Sequence, residues 1–198
     1  MKNIIFDIGN VLLDYHPERF LKQYYDKETS LILMSLIFQG DDWKHLDDGT
    51  MMIADVIDDL TSKHPQYTQE ITFVLKHWSD MMTPLQENVD LIKVLKAKGY
   101  KIYLLSNFHY EAFFAMEKKY DFLREVDGKV ISAFEHKVKP DSEIYQVLLE
   151  RYDLSPFESL FIDDSYPNIE AARLLGIQGI HFEEETSLKD ALKAAGVL

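Results

Sequence analysis

Short apolar runs in this chain end on residues able to do chemistry. Asp7 follows Asn3-Ile4-Ile5-Phe6, Ser106 and Asn107 follow Ile102-Tyr103-Leu104-Leu105, and Asp163 and Asp164 follow Leu160-Phe161-Ile162. A carboxylate can act as a nucleophile and carry a transferred group covalently, which divides one hard displacement into two easier ones. Two adjacent carboxylates at the mouth of a buried strand place like charges together in a partly dry site, an arrangement unfavourable without a cation. Carboxylate oxygens with water are the usual ligands of Mg²⁺, and a neighbouring hydroxyl and amide can donate to developing negative charge. Taken singly, each feature has a plainer use. A strand-end Asp accepts backbone hydrogen bonds, a Ser-Asn pair caps a helix, and an Asp-Asp pair makes a solvated turn. Together they suit Mg²⁺ and a phosphate better than a core.

The elements that must position these residues can be read from the local period. Residues 3–8 form a β-branched and aromatic run closed by Gly9-Asn10, a buried strand followed by a loop. From about 17 to 80 the pattern is helical: Pro17 suits a first helical position, Phe20, Leu21 and Tyr24 share a face, and 31–38, 52–60 and 68–78 are further helical stretches. After Thr83-Pro84 strands and helices alternate. Leu85, Val89, Ile92 and Leu95 form a stripe stopped by Gly99; strands are predicted at 101–106, 129–133, 159–163 and 179–182, and helices at 110–120, 141–152, 167–175 and 187–195. Such alternation implies an α/β fold, a Rossmann-like parallel sheet with helices on both faces, in which ligands bind beyond the carboxyl ends of the strands. The expected organisation is a core of residues 1–13 and 84–198 interrupted by an all-helical cap domain over 14–83.

Composition limits the alternatives. With 21 Lys+Arg against 34 Asp+Glu the formal net charge is −13, which argues against nucleic acid as a partner. The chain has no cysteine, so disulfides and thiolate chemistry are excluded. No apolar run reaches the ~20 residues that span a bilayer, and Met1-Lys2-Asn3-Ile4-Ile5-Phe6-Asp7 has no secretory apolar region. The expectation is a cytoplasmic protein, monomer or homodimer, with no membrane partner.

Four segments in order resemble the motifs of the haloacid dehalogenase superfamily, over essentially the whole chain. They are Phe6-Asp7-Ile8-Gly9-Asn10-Val11, Leu105-Ser106-Asn107, Lys139-Pro140-Asp141-Ser142-Glu143-Ile144-Tyr145 and Phe161-Ile162-Asp163-Asp164-Ser165, the last followed by Asn168 and Ala171-Ala172 leading to Gly176. The helical insert resembles the cap of the phosphatase branch, and Asp7-Ile8-Gly9-Asn10 with Asp163-Asp164 is most similar to the α-D-glucose-1-phosphate phosphatase group. The resemblance implies a Mg²⁺-dependent phosphatase of small phosphorylated metabolites, sugar phosphates above all, acting through an aspartyl-phosphate. It implies Asp7 as nucleophile, with Ser106 and Lys139 also catalytic. Gly9, Asn10, Asn107 and Lys139 would surround the phosphate, and Asp7, Asp164 and the Gly9 carbonyl would hold Mg²⁺. Asp163 and Asn168 would stand behind them. Lys139, extended before Pro140, is preferred to Lys137 because of its Lys-Pro-Asp context.

Gly9 departs from the pattern. Most phosphatases of the superfamily carry there a second Asp, which protonates the leaving oxygen and activates water; dehalogenases lack it. An anomeric hydroxyl is a more acidic leaving group than an ordinary alcohol, so a sugar 1-phosphate would suffer least. The other readings are a mutase or metal-independent haloacid dehalogenase, or a catalytically weak relative that binds a metabolite or protein. Asp14 is expected to order the start of the cap, and His16 is a candidate substrate contact or substitute acid. Trp43, His45 and Asp48 are candidates to face the site from the cap, whereas Trp78 and 31–38 read as cap core or dimer surface.

Overall fold

A computed structural model describes all 198 residues. The chain opens with β1 (Asn3–Phe6) and β2 (Leu13–Asp14). Helices α1 (Pro17–Tyr24), α2 (Lys27–Leu33), α3 (Asp41–Asp47), α4 (Ile53–Lys63) and α5 (Thr68–His77) follow, and then β3 (Thr83–Pro84). The remainder alternates: α6 (Gln86–Ala97), β4 (Lys101–Ser106), α7 (Tyr110–Lys119), β5 (Gly128–Ile131), α8 (Ser132–Glu135), α9 (Ser142–Arg151), β6 (Ser159–Asp163), α10 (Tyr166–Leu174), β7 (Gln178–His181) and α11 (Leu188–Ala194). No helix is long and apolar enough to cross a membrane.

The main sheet is parallel, in the order β5-β4-β1-β6-β7. β1 is its central strand and is buried along its whole length, which is why its sequence is a continuous apolar run rather than an alternation of apolar and polar. Successive side chains of a strand point to opposite faces. Ile4 and Phe6 accordingly join Ile102, Leu104, Leu160 and Ile162 in one hydrophobic cluster with α6, α7 and α11. Ile5 joins Tyr103, Leu105, Val130 and Phe161 in a second cluster with α9 and α10. In register Phe6 lies beside Leu104 and Ile162, so the next residue, Asp7, emerges between the carboxyl ends of β4 and β6.

The first predicted strand is shorter than expected and stops at Phe6. Asp7 still donates its N–H to Ile162 (2.9 Å), and the chain then turns through Asn10, whose φ is +53°. Four short elements lie outside the expected set. β2 and β3 form an antiparallel ribbon where the chain leaves for the helical segment and where it returns; a strand of two residues has no period to read. α3 and α8 are likewise too short for a helical stripe. The helical segment has a cluster of its own, built on Phe20, Leu21, Leu33, Ile37, Leu46, Val56, Leu60, Ile71, Val74 and Leu75.

The turn after α3 rests on α8. Ser132 Oγ donates to the Asp47 carbonyl (2.5 Å), and His136 Nδ1 lies 2.9 Å from the Asp48 carbonyl oxygen. Gly49, with φ +73°, lies so close that a Cβ would come within 2.2 Å of the Ala133 carbonyl oxygen. Gly49→Ala is therefore expected to destabilise the protein by about 1–3 kcal/mol, from left-handed strain plus the backbone clash. An unchanged urea midpoint would mean that this turn is not docked as described.

Candidate active site

The sheet topology brings Asp7, Ser106 and Asp163 to one edge, because β4 and β6 flank β1. Lys139, from the loop between α8 and α9, completes the group. It is only 5% exposed, and its Nζ lies 2.8 Å from Asp7 Oδ1, 2.6 Å from Asp163 Oδ2 and 3.0 Å from the Leu105 carbonyl oxygen. Its backbone is held by Asn107, whose Oδ1 accepts from Lys139 N–H (2.8 Å) while its Nδ2 donates to the Lys139 carbonyl (3.0 Å). Lys137 instead pairs with Glu143 at the surface. Burial lowers the pKa of the Lys139 ammonium, but Asp7 and Asp163 outweigh it and hold the group above its ordinary value.

Asp163 is fully enclosed and turned away from the cavity. Its oxygens accept from Lys139, from Ser165 N–H (2.7 Å) and from Asn168 Nδ2 (3.1 Å to each). Asp164 faces the cavity, with Oδ2 accepting from Asn10 Nδ2 (3.0 Å) and its carbonyl oxygen 2.9 Å from His181 Nε2. Asn10 also accepts from Tyr15 N–H (3.0 Å) and donates its own N–H to Leu13 (2.7 Å). Its polar groups thus serve the loop and Asp164, while the residue also lines the cavity. Ser106 Oγ makes one long bond, 3.4 Å to the Asn107 carbonyl.

The charge here is unbalanced: three carboxylates, each with an oxygen within 4.8 Å of the others, surround one buried ammonium. Burial pushes the Asp7 carboxyl up to about 7; Lys139 pulls it down, while Asp163 and Asp164 raise it. Burial also lifts Asp164, against the lowering effect of the Asn10 hydrogen bond. Asp7 Oδ1 is buried and, although Lys139 is close enough for an ion pair, no donor is aligned on it as a hydrogen bond. A buried carboxylate oxygen with no aligned hydrogen-bond donor, beside a second carboxylate that faces the same cavity, is a donor set suited to a hard divalent cation. The residues present therefore fit Mg²⁺.

A cavity of about 250 Å³ opens above these groups. Asp7, Gly9, Asn10, Ser106, Asn107, Lys139, Asp164 and Asn168 line it together with Tyr15, Trp43, Asp47, Trp78, Met82, Phe108 and His109. A Cβ placed on Gly9 would meet nothing within 4 Å, so the cavity is bare where a side chain could stand. Trp43 and Trp78 meet edge to face with centroids 5.0 Å apart, and Tyr15 packs on Trp78 at 6.0 Å.

Several sequence expectations need correction. Trp78, read as core or dimer surface, is core and cavity wall together, packed edge to face against Trp43. His16 is outside this cavity. It lies in an adjoining recess that Asn10 and Asp164 also line, 2.8 Å from Asp14 and 3.6 Å from Glu184. His45 and Asp48 do not line the cavity either; both turn to Thr50. Asp14 pairs with Arg19 as well as His16 at the start of the helical segment. Tyr15, Asp47, Met82, Phe108 and His109 were missed. The one available signal was that Phe108-His109 continues directly from Ser106-Asn107 at a strand end.

Comparison with known proteins places these features in context. The haloacid dehalogenase-like hydrolase family matches residues 1–176. The chain is 27% identical over 183 residues to the sesquiterpene phosphatase astK of Aspergillus oryzae, covering 92% of this chain and 90% of that protein. A haloacid dehalogenase-family enzyme of Bacteroides thetaiotaomicron, solved with magnesium and inorganic phosphate, aligns with a TM-score of 0.74 at 22% identity over 96% of this chain and 98% of that one. A dehalogenase aligns with a TM-score of 0.75 at 19% identity over 98% and 96%. At such identities the structural likeness is one of fold, and this fold carries more than one reaction.

Proposed function

The chain belongs to the haloacid dehalogenase-like hydrolases, and on that premise we propose that it is a Mg²⁺-dependent phosphatase of small phosphorylated metabolites. The favoured substrates are sugar phosphates, and among them sugar 1-phosphates. One observation carries this reading: Asp7 presents a buried oxygen, ion-paired with Lys139 but with no hydrogen-bond donor aligned on it, in a cavity shared with Lys139 and Asp164.

In the proposed reaction the Asp7 carboxylate attacks phosphorus and takes the phosphoryl group, and water then releases it. Lys139 stands beside Asp7 to meet a phosphoryl oxygen, and the Ser106 hydroxyl and Asn107 N–H donate to the others. Asp7, Asp164 and the Gly9 carbonyl would hold Mg²⁺. When bound, that ion offsets the repulsion between an anionic nucleophile and an anionic phosphate. Asn10, Asn107, Asp163 and Asn168 orient these groups through the hydrogen bonds described above. The segment between β2 and β3 acts as a cap, and its aromatic side chains receive the leaving group. With no carboxyl at Gly9, an anomeric leaving group makes the smallest demand for a proton.

A panel of phosphate esters, assayed with and without Mg²⁺, tests this. The 1-phosphate of a sugar should react faster than its 6-phosphate. Equal rates would remove the 1-phosphate preference, while halide release from a 2-haloacid with no phosphate turnover would overturn the phosphatase reading. Asp164→Ala should raise the Mg²⁺ concentration needed for half-maximal rate by at least about 100-fold. Loss of a group behind a metal ligand already costs about 10–100-fold in affinity. An unchanged Mg²⁺ titration would exclude Asp164 from the ligand set.

A further inference from the structure

His109 has no part in the reaction described so far, yet it is the most unusual polar residue of the cavity. It is 1% exposed, it lines the cavity, and neither ring nitrogen has a hydrogen-bond partner. Buried polar groups are nearly always paired, so two orphaned nitrogens on one ring require an explanation. Its nearest charge is Asp47, whose Oδ1 lies 3.3 Å from His109 Nε2. Trp43 packs against the ring at 4.2 Å between centroids and Trp78 at 4.8 Å, which fixes its plane. His109 caps the start of α7 in the loop after β4, whereas Asp47 and both tryptophans come from the helical segment.

We propose that His109, oriented by Asp47, is the proton-transfer group that does the work for which Gly9 has no side chain. This rests on the phosphatase reading and adds a catalytic residue to it. An imidazole with a carboxylate close to one nitrogen and no partner on the other is the arrangement by which hydrolases move a proton; here Asp47 Oδ1 lies 3.3 Å from Nε2, a charge contact rather than an aligned hydrogen bond. Asp47 faces Nε2, so Nδ1 is the nitrogen left to act. In the first step the Asp7 oxygen–phosphorus bond forms, the bond from phosphorus to the leaving oxygen breaks, and the imidazolium gives its Nδ1 proton to that oxygen. In the second, water adds to phosphorus, the Asp7 oxygen–phosphorus bond breaks, and the neutral imidazole takes the water's proton. Asp7 carboxylate, inorganic phosphate and imidazolium are then restored. His109 lines the same cavity as Asp7, the space into which a leaving group displaced by Asp7 must depart.

The test compares phosphorylation rates, by rapid quench or burst, for p-nitrophenyl phosphate and a sugar 6-phosphate. Nitrophenolate leaves without a proton, whereas a primary alkoxide needs one. In His109→Gln the ratio of the sugar to the aryl rate should fall by about 10²–10⁴-fold, the range of general acid catalysis. Asp47→Asn should lower the same ratio by less. Adding Gly9→Asp to His109→Gln should recover part of it, since a side chain at Gly9 enters open space. Thermal melts of each variant separate folding from chemistry, and the milder Asp47→Asn keeps the test valid if His109→Gln is unstable. An unchanged ratio in His109→Gln, with both rates falling together or neither falling, would overturn the proposal while leaving the phosphatase reading intact. No turnover of either ester by the wild-type protein would overturn both.

Discussion

Asp7→Asn is expected to lower turnover by at least about 10⁴-fold, the scale on which removing an enzyme's nucleophile acts, and to leave the fold in place. Asn has nearly the shape of Asp, and the Asp7 backbone N–H to Ile162 keeps the end of β1 where it is. The substitution also removes one of three crowded carboxylates, two of which already press the Asp7 carboxyl upward together with its burial. Loss of activity should therefore come without a matching loss of stability. Two measurements decide the matter: turnover of p-nitrophenyl phosphate with saturating Mg²⁺, and the thermal midpoint. An aryl ester is the demanding choice, because its leaving group needs no acid and only the nucleophile is in question. Wild-type activity in Asp7→Asn would end the covalent mechanism.

Lys139→Met should have the largest effect on stability. The ammonium is buried against Asp7 and Asp163, and removing one partner of a buried ion pair costs about 3–5 kcal/mol because the charges left behind stay desolvated. Domains are stable by about 5–15 kcal/mol in all, so the variant should unfold at much lower urea than wild type. It should also lose turnover, since nothing else cationic on the chain stands between nucleophile and phosphate. The cause can be checked by a second change. Asp163→Asn made on top of Lys139→Met removes the most enclosed of the stranded carboxylates and should restore part of the lost stability. Mg²⁺ should likewise stabilise Lys139→Met, because a ligand that binds only the folded state shifts the unfolding equilibrium by mass action. A single variant as stable as wild type without Mg²⁺ would show that Lys139 does not neutralise this cluster.

Much of this arrangement was legible from residue order. A polar side chain that ends a run of apolar residues can only be a strand end facing solvent or a site, so Asp7, Ser106 and the Asp163-Asp164 pair stood out from their neighbours. The helical stripes of 86–97 and 142–151 and the strands beside them were readable because burying one face imposes a period on the residues themselves. Lys139 was found by its Lys-Pro-Asp setting, and its distinction from Lys137 rested on the resemblance rather than on any local property.

By itself, then, the order of residues determined the alternation of strand and helix and the acids at the strand ends. Only the tertiary structure decided how those groups are partnered. Asn107 spends its amide on the Lys139 backbone and Asn10 spends its own on Asp164. His16 is paired with Asp14 and Glu184, and His109 is enclosed beside Asp47, Trp43 and Trp78. Periodicity is a local signal, set by which face of one element is buried, and carries no record of which distant element supplies the covering surface. Whether a histidine becomes a solvated surface group or a buried one depends on that covering surface, because desolvation and the nearest carboxylate come from segments far away in the chain.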